Sequence, residues 1–438
     1  SSLVGSEMCI RDRGIAAREH DLLSAWLALA TLIPGAPSAS QADILEARRE
    51  FARRLALTDM ANSAPAPAPR QRAPGARIRV GYVSSWLASA NYMKPVWALI
   101  NHHDRSRFEI HLFSDAPSDA TLDGYEPQAN DRLHTTGDLD NTALAQRVAE
   151  AGIDILVDLN AYSTPDRLGL FTASPAPVSL AWFNMYATSG LPGLQFIVGD
   201  DEVVTEEDEV HYSERVLRLP LSYLSFTVAH QAPPVVDPPC RAKGHLTFGS
   251  LVAQYKITSA VIDTWSELLA GAPGARLLLA NRALASVIHQ DWLADRFAER
   301  GIDRERLELR GGAPHYEYLQ NYDAIDIALD AFPYNGGTTT MEAIWQGVPV
   351  LTFDGGRWSS RTSQTLLRRS HLAEFACDSR EAMVTLATRL AKDPETPARL
   401  LSLRRDMRAR IKSAPVCDAP ALARSMERLM EDLASGGI

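Results

Sequence analysis

The sequence predicts an α/β protein: two doubly wound, Rossmann-like lobes with a cleft between them, preceded by a short helical segment. Three observations carry that expectation. Short β-branched and aromatic runs alternate with helical stretches over most of the chain, the pattern of βαβ units and a mainly parallel sheet. A Pro-rich tract near residues 227–243, with Pro233-Pro234 and Pro238-Pro239, splits the alternation into two halves and reads as a hinge. The length, 438 residues, suits two or three domains, and 46% hydrophobic against 22% charged residues is the balance of a globular chain with sizeable cores.

Residues 1–13 are set apart, because Glu7-Met8-Cys9-Ile10-Arg11-Asp12-Arg13 reads as a translated sequencing adapter, which makes Cys9 non-native. Residues 14–75 hold helices and a linker. Leu22, Leu23, Trp26, Leu27 and Leu29 form one apolar group, and Ile44, Leu45, Phe51 and Leu55 follow at helical spacing. The run Ala64-Pro65-Ala66-Pro67-Ala68-Pro69 then ends helical structure as a semi-rigid spacer. The first lobe spans 76–235, with strands expected at 78–84, 108–113, 153–159 and 178–182. The second spans 236–395, with strands at 246–249, 276–280, 307–309, 325–329 and 348–353. Residues 396–438 read as closing helices.

Charge and cysteine content exclude several functions. The net charge of −10 leaves no excess of cations to displace counterions, so neither nucleic acid nor an anionic membrane is an expected partner. The longest apolar stretch, 22–33, is shorter than the roughly 20 residues that span a bilayer. Four scattered cysteines without a CxxC pair indicate neither a zinc knuckle nor a disulfide framework, and a reducing, cytoplasmic setting is expected.

The chemistry is expected at two strand ends of the second lobe. After the apolar strand at 325–329 comes Phe332-Pro333-Tyr334-Asn335-Gly336-Gly337-Thr338-Thr339-Thr340-Met341-Glu342. Free N–H groups at a helix start, hydroxyls and the positive dipole end make an anion site, and paired glycines let an oxyanion reach the backbone. The competing reading is a capping box, with Thr339 as cap and Glu342 reaching back. The second segment, Phe248-Gly249-Ser250-Leu251-Val252-Ala253-Gln254-Tyr255-Lys256, sets an ammonium just past a strand, where it neutralises a leaving diphosphate or is merely solvated. Asp200-Asp201-Glu202 reads as a solvated loop rather than a metal site, and His102-His103 as a surface turn.

In order along the chain, these segments resemble the O-GlcNAc transferase/SPINDLY family of protein glycosyltransferases over roughly residues 76–435. Supporting matches are Ile78-Arg79-Val80-Gly81-Tyr82, Gly152-Ile153-Asp154-Ile155-Leu156-Val157-Asp158-Leu159-Asn160, Ser174-Pro175-Ala176-Pro177-Val178, Ala187-Thr188-Ser189-Gly190 and Tyr212-Ser213-Glu214. The resemblance implies a GT-B fold and inverting, metal-independent transfer of a sugar from a nucleotide diphosphate. UDP-N-acetylglucosamine is the usual donor, a Ser or Thr of a protein the usual acceptor, and no cofactor or metal is implied. GDP-fucose or UDP-glucose as donor, and a non-catalytic binding homologue, are the alternatives. Lys256 matches the lysine that stabilises the departing diphosphate, with Gln254 and Tyr255 beside it on the donor side. Thr338 and Thr339 match the threonines that hold the phosphates, in the turn opened by Gly336 and by Gly337, which occupies a position that is His in some members, and Glu342 matches the acidic residue on the ribose. Ala313 matches the backbone contact to the uracil edge, while His315 and Tyr318 occupy base-side positions or a plain surface loop.

The helices before the linker resemble the tail of the repeats, of the TPR kind, that precede this region. The first lobe departs from the family pattern. Its histidine position falls on Ala90, its Gly-Tyr-Pro-Gly loop reads Asn184-Met185-Tyr186-Ala187, and another stretch reads Asn160-Ala161-Tyr162-Ser163. On the acceptor side the candidates are Asp158, Tyr162 and Thr188, with Asp158 or Asp166 as base or Asp158 as a loop cap.

Overall fold

The computed structural model describes residues 22–58, 75–228 and 230–437. The adapter-like residues 1–13 and the Ala/Pro spacer at 64–69 lie outside them. Two compact units emerge, one of residues 22–34, 39–228 and 418–437, the other of 35–38 and 230–417.

In the first unit seven strands form one sheet: β1 Ile78–Ser84, β2 Phe108–Ser114, β3 Arg132–Thr135, β4 Ile155–Asp158, β5 Val178–Ala181, β6 Phe196–Asp200 and β7 Arg215–Leu219. Their order is β3-β2-β1-β4-β5-β6-β7 and every pairing is parallel. Strands covered on both faces need continuous apolar runs, which is why β1, β2 and β4 were readable. The edge strand β3 is mostly exposed and polar, so its residues carry no such signal.

The last helix, Ala419–Ser435, belongs to this unit. Leu422, Met426, Leu429, Met430 and Leu433 share one core with Val80, Tyr82, Leu112 and Val157. Residues 396–438 are therefore not one closing segment. Helix Thr396–Lys412 packs in the other unit, and the turn near 415–417 separates the two. The i, i+4 apolar stripe of the last helix is buried against the first sheet. Its Glu427 also corrects the reading of His102-His103 as a surface turn. His102 is exposed, but His103 is buried, its Nε2 2.6 Å from the Tyr82 hydroxyl and its Nδ1 3.2 Å from Glu427 Oε1. Asp200 is likewise no solvated loop residue: it is fully buried and accepts N–H bonds from Glu202, Val203 and Tyr223.

At the amino end, helices Leu23–Leu32 and Gln41–Leu55 pack on each other. Ser40 caps the second in a reciprocal box with Asp43, which fixes where it starts. Arg48, 1% exposed, ties the pair to the sheet unit. Its Nε donates to the Ala30 carbonyl at 3.1 Å and its Nη1 to the Thr188 carbonyl at 2.6 Å.

The second unit holds β8 Thr247–Ser250, β9 Arg276–Ala280, β10 Leu307–Arg310, β11 Ile327–Leu329, β12 Val350–Phe353 and β13 Ala376–Cys377. The order β10-β9-β8-β11-β12-β13 is again all parallel. Chain order reverses between β8 and β11, and the loops leaving such a pair diverge and open a crevice at the strand ends. The lysine segment follows β8 and the Gly-Gly-Thr segment follows β11.

Candidate functional site

Asp330, the first residue after β11, shapes the second of these loops. Its Oδ1 accepts N–H bonds from Ala331 at 2.9 Å and Gly336 at 2.8 Å, and its Oδ2 accepts the Thr352 hydroxyl at 2.9 Å. Burial pushes the carboxyl up, against these hydrogen bonds and the charge of Lys256. Asn335 closes the loop: its Nδ2 donates to the Ala331 carbonyl at 2.8 Å and its N–H to the Ser359 carbonyl at 2.7 Å.

Lys256 ends a short helical turn, Gln254–Lys256, after β8. Its Nζ donates to the Asn335 carbonyl at 2.6 Å and lies 3.7 Å from the centre of the Tyr334 ring. The amine therefore sits one residue from the Gly336-Gly337 turn. Burial lowers its pKa to about 8, opposed by the charge of Asp330. Such a lysine is charged at neutral pH, and the carbonyl and ring hold it in a position from which a better anion can take it.

The helix Thr338–Trp345 starts with Gly337 as its cap and without a side-chain capping bond. The capping-box reading of Thr339 and Glu342 therefore fails: Thr339 lies inside the helix, not at its cap. The first-turn N–H groups have no intrahelical acceptors, which is the anion-site condition. The three threonines divide by role. Thr340 is buried and meets Ser363 Oγ at 2.7 Å, and that hydroxyl in turn bonds the Gly336 carbonyl at 3.0 Å. Thr338 and Thr339 stay partly exposed at the turn. A Cβ on Gly336 would come within 2.3 Å of Thr339 Oγ1 and 2.7 Å of Thr340 Oγ1, so the first glycine is sterically required. At Gly337 the nearest atom is Thr362 Cγ2 at 3.7 Å.

One helical turn on, Glu342 is 5% exposed, and its Oε1 lies 2.8 Å from His315 Nε2. Tyr318, on the same short helix His315–Gln320, donates its hydroxyl to the Leu251 carbonyl at 2.8 Å. Tyr322 donates to the Thr339 carbonyl at 3.0 Å. Ala313 lies exposed just before that helix, Gln254 Oε1 accepts from Asn281 Nδ2 at 3.2 Å, and the Tyr255 ring is 56% exposed. The donor-side residues named from sequence thus gather on the loops after β8 and β11 and before the His315–Gln320 helix. Sequence reasoning missed Asp330, Tyr334 as a partner of Lys256, Ser363, and His230, whose ring meets His315 edge-on at 4.8 Å. An aspartate directly after an apolar strand was the one available signal among these.

The acceptor-side candidates of the first unit are corrected by their burial. Asp158, 2% exposed, accepts N–H bonds from Asn160 and Ala161, each at 3.0 Å. Burial pushes its carboxyl up to about 6, and the two N–H bonds are those the loop-cap reading expects. Tyr162 is buried under the Arg48 guanidinium, 4.0 Å from its ring centre, and donates to the Ser189 carbonyl at 2.7 Å. Thr188 is buried and donates to Glu214 Oε2 at 2.8 Å. Asp166 is exposed. At the switch point of this sheet, Asn160 Oδ1 accepts the Ser85 N–H at 2.9 Å and the Asn160 carbonyl accepts Asn184 Nδ2 at 2.8 Å. Asn160 and Asn184 thus brace one another where the family pattern is broken.

The family model described as "Glycosyl transferase family 41" matches residues 52–232 and 243–425. A Hordeum vulgare protein named "Probable UDP-N-acetylglucosamine--peptide N-acetylglucosaminyltransferase SPINDLY" is 29% identical over 357 residues, 80% of this chain and 37% of that protein. Its namesake in Arabidopsis thaliana is 28% identical over 362 residues, covering 80% of this chain and 38% of its own length. The chain thus spans under two fifths of these relatives. Among solved structures, a mutant Thermobaculum terrenum O-GlcNAc transferase superposes with a TM-score of 0.84 at 29% identity, covering 99% of this chain and 83% of the other. Sucrose-phosphate synthase from Thermosynechococcus elongatus, at 13% identity and a TM-score of 0.53 over 82% of this chain and all of the other, shares the fold alone. The two doubly wound sheets are of the GT-B class.

Proposed function

We propose that this chain, which belongs to glycosyl transferase family 41, moves N-acetylglucosamine from UDP-N-acetylglucosamine to a Ser or Thr hydroxyl of a protein, with inversion and without a metal. The observation that carries the reading is the Lys256 Nζ–Asn335 carbonyl contact of 2.6 Å, which joins the cation to the Gly336-Gly337 turn. As the glycosidic bond breaks, the leaving diphosphate gains negative charge. Lys256 exchanges the neutral carbonyl of Asn335 for a phosphate oxygen, and the N–H groups and hydroxyls of Thr338 and Thr339 take the remaining oxygens. Glu342, hydrogen-bonded to His315, holds the ribose hydroxyls, and Ala313, His315 and Tyr318 border the base. These donors are in place before the reaction, so little reorganisation opposes charge development.

Our reading of the amino-end helix pair is the last of a series of helical repeats that present protein acceptors. We assign the protein to the cytoplasm, a compartment in which Cys240, Cys377 and Cys417, all free thiols, stay reduced. Among the described residues no helix is long and apolar enough to cross a membrane. The test is Lys256→Ala, with release of UDP from UDP-N-acetylglucosamine measured in the presence of a cell-extract acceptor. A loss of at least about 100-fold in turnover with an unchanged unfolding midpoint is expected. Turnover within threefold of the parent sinks the reading. Calorimetry with UDP and GDP sugars in parallel distinguishes the donor, and tighter binding of GDP-fucose would replace UDP-N-acetylglucosamine in the proposal.

A further inference from the structure

Three metal-ligating side chains converge beside the anion turn: His230, His315 and Glu342, with one ligand atom from each lying within 4.8 Å of the others. They come from three separate segments: the chain entering the second unit, the helix His315–Gln320 and the helix Thr338–Trp345. Glu342 and His315 already meet as a carboxylate and an imidazole, 2.8 Å apart. His230 adds a third ligand and a second nitrogen, its ring 4.8 Å from that of His315. We propose that this trio is a zinc site and that zinc and the nucleotide exclude one another there. The second half rests on the reading of Glu342 as the ribose contact.

The chemistry of the donor set fits. Two imidazoles and a carboxylate are a familiar zinc donor set, with a fourth position left for water. Bonds of about 2.0–2.2 Å put tetrahedral ligand atoms roughly 3.2–3.6 Å apart, so the trio closes by side-chain rotation of about 1 Å. His315 Nε2 and Glu342 Oε1 already stand at 2.8 Å. The metal takes the lone pair of that nitrogen, so His315 binds as the neutral tautomer with its proton on Nδ1. Glu342 is buried beside the two rings, and a dication there would be held by a carboxylate that is screened from water. With Glu342 bound to zinc its oxygens are no longer open to ribose hydroxyls, so the site acts as an inhibitory one.

The test titrates zinc, its free concentration clamped with nitrilotriacetate so that chelation by UDP does not deplete it, into the metal-free chain. Calorimetry is run on the parent, His230→Ala, His315→Ala and, as a control away from the site, His134→Ala, whose ring pairs with His111 at 3.0 Å. One equivalent is expected to bind the parent and His134→Ala alike, and at least about tenfold more weakly to the other two. At free zinc ten times its own dissociation constant, the apparent Kd of UDP should rise about tenfold. Binding undiminished in His230→Ala and His315→Ala, or lost in His134→Ala instead, overturns the zinc site. Zinc and UDP binding without mutual effect overturns the exclusion. Failure of UDP to bind the zinc-free chain at all would count against the donor reading and leave the metal result standing by itself.

Discussion

The two adjacent glycines of the anion turn invite opposite outcomes on substitution, and the contrast tests the geometry directly. In Gly336→Ala the new methyl would stand 2.3 Å from Thr339 Oγ1, 2.7 Å from Thr340 Oγ1 and 3.3 Å from the Thr340 nitrogen. Thr339 can swing outward, but Thr340 is pinned to Ser363 at 2.7 Å, and Ser363 to the Gly336 carbonyl at 3.0 Å. The methyl must therefore push the first helical turn away from the loop, at a cost of about 1–3 kcal/mol of overpacking. The same displacement carries Thr338 and Thr339 from the anion position, so UDP affinity should fall at least about tenfold, the equivalent of about 1.4 kcal/mol. Gly337→Ala meets only Thr362 Cγ2 at 3.7 Å, an ordinary contact, so its cost is the backbone one of a φ/ψ pair, −123° and −81°, outside the main L-residue regions. Stability should fall by no more than about 1 kcal/mol and UDP affinity by less than about threefold. Urea unfolding gives the stability difference and calorimetric titration of UDP the affinity. Equal tolerance of both substitutions, or a larger loss in Gly337→Ala, would refute the reasoning.

Further outcomes follow from other contacts. Lys256, with its pKa lowered to about 8 in the free protein, must be protonated to meet the diphosphate, so kcat/KM should fall as pH rises through about 8, while kcat holds to higher pH because a bound diphosphate favours the ammonium. A flat kcat/KM profile to pH 10 would contradict this. Arg48→Ala strips hydrogen bonds from the Ala30 and Thr188 carbonyls and should destabilise the first unit by about 2–4 kcal/mol in urea unfolding. Glu427→Ala leaves buried His103 without its carboxylate and the Asp104 N–H without its acceptor, while Arg107 keeps Asp104 and Glu431, and should cost about 2 kcal/mol. The His103 pKa is lowered by burial, and that of Glu427 is lowered as well, because the hydrogen bonds from His103 and Asp104 outweigh its burial. Both shifts mean that the unfolded chain binds protons more readily, so the parent should lose stability as pH falls through the ordinary histidine and carboxylate ranges. Glu427→Ala should remove the carboxylate part of that loss and steepen the histidine part, because Glu427 favours protonated His103 against burial.

Much of the fold could be read before any coordinates, for a physical reason. Strands buried on both faces, such as β1 and β9, need β-branched or leucine-rich runs, and those runs are visible. Edge elements have no such need, which hid Arg132–Thr135 and the two-residue strand Ala376–Cys377. The loops after β8 and β11 were legible because their signals are local: a glycine turn opening a helix, and a lysine after a strand. The acceptor side was not. Asp158, Tyr162 and Thr188 look reactive in a string of letters, and only their burial reveals them as braces for loops.

The chain by itself settles the alternation of strands and helices, the Pro-rich tract that interrupts it, and the residue types at two strand ends, because each depends on neighbours within a few positions. Tertiary structure alone decides which of those ends meet. The parallel pairing of β8 with β11 carries Lys256 to Asn335, 79 positions away, and the apolar stripe of the last helix takes it back to the first sheet. Hydrophobic burial does not record sequence distance, so such meetings are set by how the sheets close and not by any local pattern.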